Sequence, residues 1–231
     1  MTLGLLALIG VDVGLSLLLG AGIGILNQLA INVGGLTDAV WTDSVSLNFA
    51  FFAVSRLLGL GLIVAFIRKR GISLQRFGFK RFKPLNALGL IFISTVILFI
   101  ASGLIFYIAQ QLAPDVNLNQ EQEIIFTQAS GNLQIALAFM ALVIIAPIVE
   151  ETIFRGFMLP AFARRFGIVP AAIFTSLLFG AIHWQLNVGI ITFIMGLLLS
   201  WLYYATRSLW PAIMFHSLKN LLAFVLIFNI P

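Results

Sequence analysis

The chain has 231 residues, 61% of them hydrophobic and 9% charged, with a formal net charge of +5. Soluble domains carry about 25% charged residues, so a water-soluble globular fold is excluded and an integral membrane protein is indicated. The lack of cysteine excludes disulfides, thiolate metal ligands and a cysteine nucleophile. The basic residues cluster in loops beside apolar runs, which points to membrane lipids as partners and away from nucleic acid.

The apolar runs, in chain order, are Leu3–Leu26, Leu47–Ile67, Leu85–Ala109, Leu133–Glu151, Ile168–Trp184, Val188–Thr206 and Leu209–Phe228. Each is close to the roughly 20 residues that a spanning helix needs. They predict an all-α, polytopic transmembrane helix bundle of about seven spanning helices (six to eight), forming one integral-membrane domain over residues 1–231. The first run has no basic stretch before it and no clear cleavage site after it, so it is read as a retained span. Its Gly10, Gly14, Gly20 and Gly24 make two small-xxx-small patterns suited to close helix packing. Gly20-Ala-Gly22-Ile-Gly24 is no dinucleotide loop, because no strand precedes it. Asp12 and Arg56 also lie inside spans, where pairing or snorkelling accounts for them.

The loop Arg68–Lys83 holds seven basic residues: Arg68, Lys69, Arg70, Arg76, Lys80, Arg81 and Lys83. Arg164, Arg165 and Arg207 mark two further basic turns. Asp38, Asp43, Asp115, Glu121 and Glu123 lie in loops without Lys or Arg. Placing the basic loops in the cytoplasm makes the alternation self-consistent, with a cytoplasmic N-terminus and the plasma membrane of a prokaryote as the expected location. The basic loop, with Phe77, Phe79 and Phe82 interleaved, is read mainly as an orientation signal.

Glu150 and Glu151 end an otherwise uncharged apolar run, and Arg155 follows one helical turn after Glu151. A carboxylate at membrane depth costs at least about 2.5 kcal/mol on insertion scales, so such groups persist where they are paired, solvated or used. Glu151 and Arg155 stand at i, i+4 with the acid first, the favourable order for an ion pair. Glu150 is rotated about 100° away and is the candidate general base, with Glu151 as its support. Both histidines fall in later apolar runs: His183, and His216 with Asn220 one turn on. Counted from a hairpin near Phe166–Ile168, Glu150 and His183 reach a similar depth of roughly 20 Å if the helices stay regular. The site is expected to open towards the basic side, so that a cysteine placed at Gly180 would be reachable from there. Phe179 is expected to pack. Lys219, beside Asn220, either snorkels to the interface or points inward.

Three signatures stand in order on separate runs: Glu150-Glu151-Thr-Ile-Phe-Arg155, Phe179-Gly-Ala-Ile-His183 and His216-Ser-Leu-Lys-Asn220. This pattern resembles the CAAX protease and bacteriocin-processing (CPBP, or ABI) family of intramembrane endopeptidases, which includes the Ras-converting CAAX endopeptidases. The resemblance covers about residues 135–224. It implies that Glu150 activates water, that His183 shares the site, and that Arg155 braces Glu151. His216 and Asn220 would ligate a metal or stabilise the oxyanion. The family's usual classification as metalloproteases implies a divalent ion such as zinc, held by Glu150, His183, His216 and Asn220. A peptide or protein substrate follows, with a prenylated C-terminal segment as one form of it.

Two other functions use similar residues. A non-catalytic member of the same family would act as an immunity factor or membrane scaffold, without needing every catalytic residue type. A proton-coupled transporter would also bury acids and histidines, but would favour repeated halves, and no internal repeat is visible.

Overall fold

The computed structural model describes residues 45–71, 73–114, 129, 131–183 and 185–228. The expected first span, Asp12, the acidic loop residues and Trp184 lie outside them. The described elements are all helical: α1 (Val45–Lys69), α2 (Leu74–Phe77), α3 (Pro84–Leu112), α4 (Asn132–Phe166), α5 (Ile168–Ala181), α6 (Leu186–Thr206) and α7 (Leu209–Ile227). Every apolar run from Leu47 onward has become a helix. Among the described residues α3, α4, α6 and α7 are long and apolar enough to cross a membrane. The 14 residues of α5 rise about 21 Å, short of the roughly 30 Å hydrocarbon core. The protein is an integral membrane protein. Large apolar side chains such as Leu85, Phe92 and Ile100 on α3 are exposed, as lipid-facing residues are.

The longest described helix departs from the regular rise assumed from sequence. In α4, Met140–Ile145 and Thr152–Met158 wind as π turns. Each closes on a residue whose N–H reaches five residues back, Ala146 to Ala141 and Leu159 to Phe154. Each closing residue is followed at once by a proline, Pro147 and Pro160. Proline has no N–H to give and its ring crowds the carbonyl four residues back; the wider turn removes that clash. The two prolines therefore bracket the Glu150–Arg155 segment, with Glu150 and Glu151 between the widened turns and Arg155 in the second of them.

The chain divides into two compact units. In the first, α1 packs on the start of α4. Its core holds Ala138, Ala141, Val143 and Phe224, with Phe139 edge-on to Phe224. The second comprises residues 71–123 and 150–220. There α6 packs on α5 and α3, and the end of α4 packs on α5. Small residues bring α5 and α6 close: a Cβ on Gly180 would lie 2.7 Å from the Gly189 carbonyl oxygen, and one on Gly196 would lie 2.8 Å from Cβ of Ser176. Helices in lipid gain by such close approach. The hydroxyls of Thr175, Thr192 and Ser200 donate to the carbonyl four residues back, which satisfies them without water.

Candidate active site

All six residues singled out from the sequence fall in the second unit. Glu151 and Arg155 are fully buried, and Arg155 Nη1 donates to Glu151 Oε1 at 2.9 Å. The pair expected at i, i+4 has formed. The same Oε1 also accepts from His216 Nδ1 at 2.9 Å, a partner 65 residues on that spacing alone did not reveal. The remaining reach of the guanidinium is to main chain: Nη2 donates to the Gly196 carbonyl at 3.1 Å. A side chain at position 196 would already press on Ser176, so glycine serves both the helix crossing and this contact.

Because a carboxylate oxygen only accepts, Nδ1 of His216 carries the proton in this bond. Its Nε2 then faces Glu150 Oε2 at 3.9 Å. Glu150 is 8% exposed and His216 3%, so both are nearly removed from solvent. His183 is held in the same way from its own helix end: its Nδ1 meets the Phe179 carbonyl at 2.8 Å, which also places the proton on Nδ1 and leaves Nε2 open. Lys219 is half-buried one residue before Asn220. Asn220 is half-buried one turn beyond His216.

Phe179 does more than fill space. Its ring is fully buried and lies edge-on to both His183 and His216, with centroids 5.4 and 5.7 Å away. The Arg155 guanidinium carbon is 4.6 Å from its centre, within range of a cation–π contact. Phe154 closes the cluster at 5.0 Å. The place of Phe179 four residues before His183 is the sequence signal for this role, one that the abundance of phenylalanine in the chain hides. Gly196 was missed altogether, and its spacing of seven from Gly189 was the only hint. Gly180, suggested as a reachable cysteine position, is buried against Gly189, and any side chain there would force α5 from α6.

The ligand set expected for a metal was Glu150, His183, His216 and Asn220. Among the described residues no three His, Cys, Asp or Glu side chains gather closely enough to hold an ion. Each imidazole gives its Nδ1–H to a partner, His216 to Glu151 and His183 to the Phe179 carbonyl, which leaves Nε2 of each ring as the atom that could meet an ion.

Residues 132–222 match the family model described as type II CAAX prenyl endopeptidase Rce1-like. That stretch contains all three signatures. Over that stretch the chain is similar to the CAAX protease family. Among curated proteins, "Putative membrane peptidase YdiL" of Bacillus subtilis (strain 168) is 31% identical over 96 residues, which are 41% of this chain and 39% of that relative's length. The match thus spans about two fifths of the relative. No solved structure matches the chain. The CAAX protease match begins at the start of α4 and ends within α7, so it takes in every residue of the cluster above.

Proposed function

We propose that this protein is an intramembrane endopeptidase that hydrolyses a peptide bond in or beside the bilayer, with Glu150 as general base. The observation that carries the reading is the 3.9 Å approach of Glu150 Oε2 to His216 Nε2 inside the segment matched to CAAX proteases. Two acceptors at that distance are too far apart to bond directly and close enough to share one water at about 2.8 Å from each. Glu150 takes a proton from that water, and the hydroxyl oxygen adds to the scissile carbonyl carbon. The side-chain amide of Asn220 donates to the resulting oxyanion. Glu150 returns the proton to the amide nitrogen, the C–N bond breaks, and a carboxylate and an amine leave. Glu151 and Arg155 hold His216 in register and touch no reacting atom.

The substrate is a peptide or protein segment, with a prenylated C-terminus the form suggested by the family description. A zinc-dependent version is the competing proposal, and it requires the side chains to regroup. Both are tested together by screening purified protein in proteoliposomes for peptide cleavage, with metal analysis of the same preparation. Glu150→Gln keeps volume and hydrogen bonding but cannot take the proton, so it should lose about 10²–10⁴-fold in rate while melting like the parent. Equal activity in parent and variant would sink the mechanism. Stoichiometric zinc that disappears in Glu150→Ala and His216→Ala would favour the metal version.

A further inference from the structure

The basic segment after α1, expected to be an orientation signal, is folded back against the elements that carry the site. Within the second unit, α2 is a single turn whose Phe77 is 5% exposed. The Phe77 ring sits over Gly156, where an added Cβ would come within 2.7 Å of it, and it stacks on Phe157 at 6.3 Å. Gly78 follows at φ +126, crowded by Leu209 and Tyr203, a conformation and a space that only glycine tolerates. Its carbonyl accepts the Leu209 N–H at 2.8 Å, which satisfies one of the otherwise unpaired donors at the start of α7. Ser208 Oγ donates to the Lys80 carbonyl at 2.8 Å. Phe79 meets Trp210 edge-on at 5.6 Å. The segment is thereby stitched to the π turn that holds Arg155 and to the start of the helix that holds His216.

Its outer side is a cluster of cations. Lys80, Arg81 and Lys83 are exposed, as is Arg207. The bond from Ser208 to Lys80 places Arg207, one residue away, beside this strip. The only carboxylates among the described residues are Glu150 and Glu151, and both are buried, so no described acid neutralises the strip. Three apolar helices long enough to cross a membrane begin or end here: α3 starts at Pro84, α6 ends at Thr206 and α7 starts at Leu209. That is where a bilayer presents its headgroups.

We infer that Lys80, Arg81, Lys83 and Arg207 form a docking surface for anionic phospholipid headgroups, which clamp the folded-back segment onto α4 and α7. Each cation near an anionic surface strengthens the association by roughly fivefold, and the effect is screened within a Debye length of about 10 Å at 0.1 M salt. The inference stands whether or not the site hydrolyses peptides, because its readout is stability.

The test is the thermal melting of the full chain in nanodiscs of pure phosphatidylcholine and in nanodiscs containing about one third phosphatidylglycerol. The parent should melt higher in the anionic discs, and about 0.5 M sodium chloride, with a Debye length of a few ångströms, should shrink the difference. Inorganic phosphate added to the phosphatidylcholine discs should not reproduce it. The quadruple variant Lys80→Gln, Arg81→Gln, Lys83→Gln and Arg207→Gln should melt like the parent in phosphatidylcholine and show no gain from the anionic lipid. An equal gain in variant and parent would overturn the assignment of these residues. A parent whose melting is the same in both discs would overturn the inference outright, even if the variant failed to fold. A shift produced equally well by free phosphate would replace the headgroup by an anion site.

Discussion

The carbonyl of Phe179 holds Nδ1 of His183 at 2.8 Å, one helical turn away. A carbonyl can only accept, so the proton is on Nδ1 and the lone pair is on Nε2. The F-x-x-x-H spacing thus selects a tautomer as well as a position. His183→Asn should keep a donor for the carbonyl but offer nothing at Nε2. Cleavage by this variant should fall by about 10²-fold or more, with melting close to the parent. Cleavage retained within about threefold would remove His183 from the proposed site.

Arg155→Ala should be costly, because it leaves Glu151 buried with its main cation gone. Breaking a buried pair from one side costs about 3–5 kcal/mol, read as a large drop in melting temperature. Glu151→Gln combined with Arg155→Gln should recover most of the stability and little of the activity, since the neutral pair no longer orients His216 electrostatically. Unchanged melting of Arg155→Ala would contradict the buried ion pair.

Glycine substitutions should separate contact from conformation. Gly196→Ala meets Ser176 at under 3 Å, whereas Gly103 on α3 has nothing within 4 Å of an added Cβ. The first should destabilise by about 1–3 kcal/mol through overpacking and also move the carbonyl that Arg155 uses. The second should be neutral or stabilising by about 0.5–1 kcal/mol, as alanine is in a helix interior. Matching melting curves for the two would refute the close α5–α6 crossing.

Lys219 offers a test in which activity and stability move apart. It stands half-buried one residue before Asn220, while replacing a partly buried charge with an apolar side chain of similar size is often neutral or stabilising. Lys219→Met should therefore melt at or above the parent temperature and cleave at least about tenfold more slowly. Lys219→Arg should recover a good part of the rate. Parent-like cleavage by the methionine variant would make Lys219 a bystander.

The helices were legible in the sequence because lipid demands long uncharged runs, and α3, α6 and α7 follow those runs closely. The ion pair of Glu151 with Arg155 was legible because it lies within one helix at a fixed spacing. The bond from Glu151 to His216 was not, since 65 residues separate them and the rotation of two helices about their axes leaves no mark in spacing. The π turns were readable only in part: Pro147 and Pro160 stood in plain view, yet proline signals a broken ladder without saying how the chain repairs it. The segment after α1 hid its role behind its charge. Seven basic residues advertise an interface, while the informative positions, Phe77, Gly78 and Ser208, are uncharged and modest.

The sequence distance between Glu151 and His216 sets an order of events during synthesis. A ribosome adding about 5–20 residues per second takes about 3–13 s to make the intervening 65 residues. During that interval α4 has been made with both carboxylates, and Arg155 is the cation paired with Glu151. The imidazole that completes the arrangement arrives with α7, the last helix described. A nascent chain therefore carries an incomplete, poorly soluble acid pair for seconds. Until His216 is made, Glu151 has Arg155 alone of its two observed partners, so the site is completed only when α7 joins α4.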